Sequence, residues 1–367
     1  MDLSRYFLAW RTTLLRDREV IDALVDPVHA APSPGLTQEL KSWRGTWYWS
    51  DEHGIRHLVL TRPRRRVPER WWLHVALFLA TLFTASFAGA GFAGTLPSVN
   101  WPWEIVRGFS YDAAFWRAWS AGLVFGVPLV LILVSHELGH YLTARRYDLD
   151  ASPPYFLPFP GAIVGTVGAF IRLRTLLSDR RQLLDVGIAG PIAGFVVAVP
   201  ALVIGLHLSQ PLVSLGFHGM VVAIPGIGDR VVLGDSLTTL ALRALLFGSA
   251  NAVRLHPLAF AGVFGIFVTM INLMPIAQLD GGHILYAVRP RAHRPVAIGV
   301  WLALLVLGHW WGGWYIWATF VLLVSRARFE HPPVLDAYRP LPASRRRLGW
   351  VGFVLLLVTF APMPFQV

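Results

Sequence analysis

Two short stretches of this chain hold the residue types that could do chemistry: Ser135-His136-Glu137-Leu138-Gly139-His140 and Asn272-Leu273-Met274-Pro275-Ile276-Ala277-Gln278-Leu279-Asp280-Gly281-Gly282-His283. In the first, the histidines stand at i and i+4, so a helix shows both imidazoles on one face with a carboxylate beside them. Two neutral imidazole nitrogens placed this way can meet one tetrahedral cation, and Glu137 can take a proton from water held there. The bland rival is a satisfied polar cluster between packed helices. Inside an apolar segment that rival is disfavoured, because burying His, Glu and His in a membrane without a use is expensive.

Two histidines leave a catalytic metal short of a third protein ligand. Asp280 is the candidate, because it follows a Pro-broken apolar helix and is flanked by Gly281 and Gly282, which let the backbone approach closely. Its rival reading is a helix N-cap for Gly281 to Val288, which would not exclude ligation. Asn272, two turns earlier, could donate to a carbonyl oxygen as it becomes an oxyanion, or simply make an interhelical hydrogen bond. His283 reads as an interfacial histidine in preference to a partner of the ligands. His207, His256 and His309 fall at expected interfaces and need no function. Zinc follows from the motif, although manganese or iron would also suit two histidines and a carboxylate.

The elements that must position these residues are membrane spans. The chain is 55% hydrophobic and 14% charged, and its apolar runs reach the length of a bilayer crossing. Sixteen tryptophans suit a protein with two membrane–water interfaces. The net charge of +11 is carried almost entirely by arginines that cluster beside the apolar runs. That is the positive-inside pattern and argues against a nucleic-acid partner. The absence of cysteine excludes disulfides and thiolate ligands. The N-terminus lacks the basic-then-apolar pattern of a cleaved leader, so the first span is expected to direct insertion.

The expected fold is an α-helical polytopic membrane protein of about six to seven transmembrane helices with a membrane-associated β-hairpin. The first span runs from Trp71 to about Gly94, behind Arg62, Arg64, Arg65, Arg66 and Arg70. The second covers about Trp119 to Tyr141, the third Leu183 to Leu206 and the fourth Leu258 to Pro275. Val296 to Val324 reads as two short helices folded at His309-Trp310-Trp311-Gly312-Gly313, and a last span runs from Trp350 to about Pro362. This scheme lands every basic cluster on one side, read as the cytoplasm of a bacterial or archaeal cell. The N-terminus and the metal site then face that cytoplasm. Gly190-Pro191-Ile192-Ala193-Gly194 reads as a close-packing element of the third span.

Two regions depart from this pattern. Pro153 to Pro160 cannot be a regular helix, and Gly161 to Ile171 is β-prone and Gly-rich. Non-helical backbone near a membrane needs protein or a wet cavity around it, so this is read as a hairpin dipping toward the metal site. Residues 1–70 read as a small cytoplasmic α+β element. It has a helix over Tyr6 to Leu24, a Pro-rich break from Pro27 to Pro34, and strands at Gly45–Trp49 and Ile55–Leu60 around the turn Ser50–Gly54. Residues 71–367 form the transmembrane unit, with its core at 118–288.

The three separated motifs, His136-Glu137-Leu138-Gly139-His140, Gly190-Pro191-Ile192-Ala193-Gly194 and Asn272…Pro275…Leu279-Asp280-Gly281, together resemble the site-2 protease family of intramembrane zinc metalloproteases. The likeness covers roughly Val130 to Val288. It is nearest to prokaryotic and plastid-type members, which show a similar Pro-rich hairpin followed by Gly-Thr-x-Gly, here Gly165-Thr166-Val167-Gly168. The resemblance implies one zinc per chain held by His136, His140 and Asp280, with Glu137 as general base and acid and Asn272 orienting substrate or stabilising the oxyanion. It also implies hydrolysis of peptide bonds within or next to membrane-spanning segments of protein substrates, as in regulated intramembrane proteolysis. Some members carry a PDZ domain and others a CBS pair. Here the loop from His207 to His256 and the tail after Pro332 are too short for either, so the usual gate on substrate entry is expected to be missing.

A substrate span is expected to enter between helices, unwind, and pair as a strand with the hairpin at Gly165, Thr166, Val167 and Gly168. A silent scaffold or transporter is the rival from another class, disfavoured by the intact ligand set. A membrane zinc protease with a glutamate as third ligand is a second rival, disfavoured because Asp280 is the lone acidic residue in the fourth to seventh expected spans. The sequence carries no signal for an oligomeric state.

Overall fold

The computed structural model describes residues 3–15, 18–30, 33–43, 45–52, 55–63, 68–95, 113–160, 162–175, 177–212, 219–224, 228–248, 252–326, 328–332, 334 and 340–366. The expected helix over Tyr6–Leu24 is replaced by two antiparallel strands, Phe7–Leu14 (β1) and Arg18–Val25 (β2), with Trp10 opposite Ala23. Period two wins over the helical spacing because Ile21, Ala23 and Val25 fall on one face and pack inward, while Thr12, Thr13, Val20 and Ile21 favour extended backbone. After a single turn, Pro27–Ala30 (α1), the Pro-rich break continues as a helix, Pro34–Lys41 (α2). Ser33 caps it by accepting the Leu36 N–H at 3.2 Å, and Pro34 supplies a preset first residue. Thr46–Glu52 (β3) and Ile55–Pro63 (β4) form the expected pair, and the four strands run in the order β1-β2-β4-β3. Leu36 and Leu40 of α2 close one face of this sheet over Tyr6, Leu58 and Leu60.

The helical part starts at Trp71–Phe92 (α3), followed by Ala113–Ala121 (α4) and Leu123–Arg146 (α5). The hairpin then lies one step earlier than expected. Tyr155–Pro158 (β5), inside the Pro-rich stretch, pairs with Thr166–Phe170 (β6), and the ladder shifts so that Val167 is the bulged residue. Proline is compatible with an edge strand, and this two-stranded sheet consists of edges. Arg180–His207 (α6) begins on an Asp179 cap that accepts the Gln182 N–H at 2.8 Å. The helices α3, α5 and α6 are each long and apolar enough to cross a membrane.

The segment expected to be a plain loop after His207 holds most of a sheet. Gln210–Leu212 (β7), Gly219–Ile224 (β8), Gly228–Leu233 (β9), the helix Leu237–Phe247 (α7) and Ala252–Arg254 (β10) follow in turn. A distant strand, Phe365–Gln366 (β11), completes five strands in the order β11-β9-β8-β10-β7. The strands are too short to give a periodic signal, and β11 belongs to no local pattern at all. Pro257–Leu273 (α8) and Asp280–Val288 (α9) come next.

Over 296–324 the structure has two helices, Pro290–Leu307 (α10) and Gly313–Val324 (α11), as the sequence suggests. They are joined across by the Trp301 indole N–H, which donates to the Ala318 carbonyl at 3.0 Å. Ala343–Thr359 (α12) is the last helix. The main core lies where α5, α6 and α8 meet, with Phe125, Leu129, Ile132, Leu202 and Phe260 fully or almost fully buried. That core brackets the polar end of α5.

Candidate metal centre

Three chain segments converge on one point. α5 brings His136, Glu137 and His140 in its later turns, all buried. α6 backs the histidines. α8 ends at Leu273, the chain turns through Met274–Leu279, and α9 opens on Asp280. This turn contains Ala277 in the left-handed region at φ +49°, an unfavourable conformation for a residue with a Cβ. Burial of Met274, Ile276 and Ala277 holds it there, and a His293 N–H donates to the Ala277 carbonyl at 3.2 Å. A Cβ on Gly281 would run into the Leu273 carbonyl, so the tight return that aims Asp280 needs glycine at that place. Asp280 is the first residue of α9 and makes no capping bond; its carboxylate goes to the histidines instead.

The Asp280 Oδ2 lies 3.2 Å from His136 Nε2 and 3.3 Å from His140 Nε2, and the two Nε2 atoms are 3.1 Å apart. Ligand atoms about 2.0–2.1 Å from a tetrahedral zinc stand about 3.3 Å from one another. The triangle therefore has the dimensions of one face of such a site. The tautomer agrees: His140 Nδ1–H donates to the Val186 carbonyl at 2.7 Å, which leaves Nε2 as a lone pair pointing at the triangle. Among the described residues His136 Nδ1 has no hydrogen-bond partner, and it lies against Gly194. The donor set fits a divalent cation.

Gly190 and Gly194 are what let α6 approach. A Cβ on Gly190 would occupy the space of the His140 ring, and one on Gly194 would sit 3.2 Å from His136 Nδ1. The Gly-Pro-Ile-Ala-Gly element thus does more than pack helices: its groove seats the two imidazoles. Just outside, the Tyr147 hydroxyl donates to Asp185 and the Arg345 Nε–H donates to the same carboxylate at 2.9 Å. This ties the ends of α5, α6 and α12 together one residue from the Val186 carbonyl that orients His140.

The triangle opens on a cavity of about 280 Å³ whose wall includes Glu137, Phe170, Ile171, Asn272, Gln278 and His283. Glu137 and Ile171, the residue after β6, line the same cavity, so the end of the hairpin lies in the wall that holds the carboxylate. His136, Glu137, His140, Asn272 and Asp280 are accordingly brought together. Gly165, Thr166, Val167 and Gly168 are not in this wall. Gly165 backs onto Thr84 of α3, and Thr166 Oγ1 donates to Leu157 O at 2.8 Å and accepts Gly168 N–H at 3.0 Å, bracing the bulge; Ala169, Phe170 and Ile171 face the cavity in their place. His283 lines the cavity as well. Its position three residues after Asp280, hence on the same helical face, was the available signal. His331, which bonds to it, comes from the segment after α11 and had none.

Apolar helices of membrane-crossing length, with a buried His-His-Asp triangle assembled from separate helices, define a membrane protein built around a metal-binding centre. The chain belongs to peptidase family M50, whose profile matches residues 124–307, in agreement with the resemblance its motifs carry. It is similar to "Probable zinc metalloprotease EGY1, chloroplastic" of Arabidopsis thaliana, 29% identical over 80% of this chain and 54% of that protein. It is also similar to "Probable zinc metalloprotease EGY2, chloroplastic" of the same plant, 28% identical over 66% of this chain and 42% of that protein. The chain thus spans about half the length of these curated relatives. No solved structure matches it.

Gly190→Ala should displace the His140 ring and lower zinc affinity roughly 10- to 100-fold while the helical circular dichroism persists. Metal analysis of the purified chain checks this, and full zinc retention would show that the groove does not seat the ligand.

Proposed function

We propose that the chain is an intramembrane zinc metalloprotease that hydrolyses peptide bonds within or next to transmembrane segments of membrane protein substrates. The observation that carries this reading is the His136–His140–Asp280 triangle, 3.1–3.3 Å on its edges, with the Glu137 carboxylate in the same cavity. The names of the relatives, zinc metalloproteases, support it. His136, His140 and Asp280 would hold one zinc per chain. When bound, zinc supplies a Lewis acid for the scissile carbonyl and lowers the pKa of water at the site.

The protein's own groups do the rest. Glu137 takes the proton from the attacking water and passes it to the leaving amine. Asn272, in the same wall, donates its side-chain N–H to the carbonyl oxygen as charge builds there. The β6 edge accepts an unwound substrate as an added strand, with Ala169 to Ile171 leading it toward Glu137. We place six to seven helices in the bilayer, with residues 71–367 as the protease unit and residues 1–70 outside it. The arginine-rich side and the metal centre face the cytoplasm of a bacterial or archaeal cell membrane.

Purified wild type is expected to hold about one zinc, Glu137→Gln to keep it while losing roughly 10²- to 10⁴-fold in cleavage of a model membrane-spanning substrate, and Asp280→Ala to lose metal and activity together. A folded wild type that takes up no metal when zinc is supplied would remove this function. Val167→Pro tests strand addition, since a bulge tolerates proline without breaking the β5–β6 ladder. Cleavage should fall with zinc unchanged, and undiminished cleavage would rule out substrate pairing as far along that edge as Val167.

A further inference from the structure

His283 lines the cavity with Glu137 and Asn272, and its Nδ1 lies 2.7 Å from His331 Nε2. The other nitrogen of His331, Nδ1, lies 2.5 Å from the Pro332 carbonyl oxygen. A carbonyl can only accept, so His331 carries its proton on Nδ1 and offers a lone pair at Nε2. That lone pair in turn requires the proton of His283 on Nδ1. The second nitrogen of His283, to which no described residue bonds, is left as an acceptor at the cavity.

The pair packs against two further rings. His331 lies flat on Tyr286, with centroids 4.3 Å apart and planes 19° apart, and His293 meets it edge-on at 5.6 Å. Burial, followed by the neighbouring His283, pushes the His331 pKa down to about 3, so the ring is neutral at physiological pH. A cationic pair would donate from every nitrogen; a neutral pair with one fixed tautomer presents an acceptor.

We propose that His283 accepts a hydrogen bond from a backbone N–H of the extended substrate, and that His331 is a positioning residue that keeps His283 in its acceptor form. This rests on the protease reading above. An unwound peptide presents N–H and C=O groups alternately, and the cavity offers a donor for the carbonyl in Asn272 and an acceptor for the amide in His283. The site would therefore select substrates with a free amide at one defined position near the scissile bond, and proline there would be disfavoured.

The test uses the full chain in detergent and a cleavable membrane-spanning peptide N-methylated at one position at a time. In wild type, one position near the cut should raise KM roughly 3- to 10-fold, the scale of one hydrogen bond, with kcat little changed. In His283→Phe that penalty should vanish. His331→Phe removes the acceptor and should raise KM for the unmethylated peptide by a similar factor, whereas His331→Gln, whose Oε1 can still accept from Nδ1–H, should restore it. Zinc content reports folding in each variant. A methylation penalty that persists unchanged in His283→Phe, or equal effects of Phe and Gln at position 331, would overturn the proposal. If wild type holds zinc but cuts nothing, the protease reading falls, and ¹⁵N NMR of His283 decides the pair by itself: a proton on Nδ1 sustains the relay and a proton on Nε2 refutes it.

Discussion

The constraint on which the rest of the structure depends is how near α6 can come to α5. Imidazoles at i and i+4 can share a cation only if their rings are held from behind, and a helix with side chains at the contact would stand too far off or push the rings aside. Gly190 and Gly194 remove that obstacle, and the Val186 carbonyl, one turn earlier on the same helix, takes the His140 N–H at 2.7 Å. One helix thus supplies the space and the orienting acceptor. The Tyr147–Asp185–Arg345 bonds at its mouth fix the neighbouring turn, so that the acceptor does not drift with the ends of the helices.

Asp280 is delivered by different means. Regular helix cannot place a carboxylate from α8 against α5, because the chain must turn sharply between Leu273 and Asp280. The left-handed Ala277 is the local expense of that turn, of the order of about 1–3 kcal/mol, and it is offset by the buried apolar groups around it. Those groups, Met270, Met274, Ile276 and Trp314 among them, form a core of their own with α11 and the segment after α12. The helices beyond Asp280 therefore support the placing of Asp280 through this core.

Much of the site was legible in the sequence because its members lie in short strings with fixed spacing. His136, Glu137 and His140 are read from one helical turn, and Asp280 from a proline and two glycines. The positions of α3, α6 and α8 followed from apolar length, and the break between α10 and α11 from a run of glycine and tryptophan; α12 instead begins at Ala343, seven residues before the expected start, because the run Arg345-Arg346-Arg347 is helical too. What was hidden depended on contacts made far along the chain. The strands β1 and β2 carry apolar residues that fit both periods, and only the packing of α2 decides between them. The seating of the imidazoles by Gly190 and Gly194 is invisible until α5 and α6 are docked. His331 is recognisable only by the ring it meets, 48 residues away from His283.

The five-stranded sheet bears on biogenesis. Its strands β7 to β10 are made between α6 and α8, but β11, which pairs Phe365 with Leu233 and Gln366 with Val232, is synthesised after every helix of the site. Until it arrives, β9 has one unpaired edge, and such edges are open to wrong partners. The sheet closes only when α12 has been laid against α8 and α9, so completion of that edge reports that the last helix is home. A chain stalled or cut before residue 365 would keep His136, His140 and Asp280 yet lack the strand that closes its sheet.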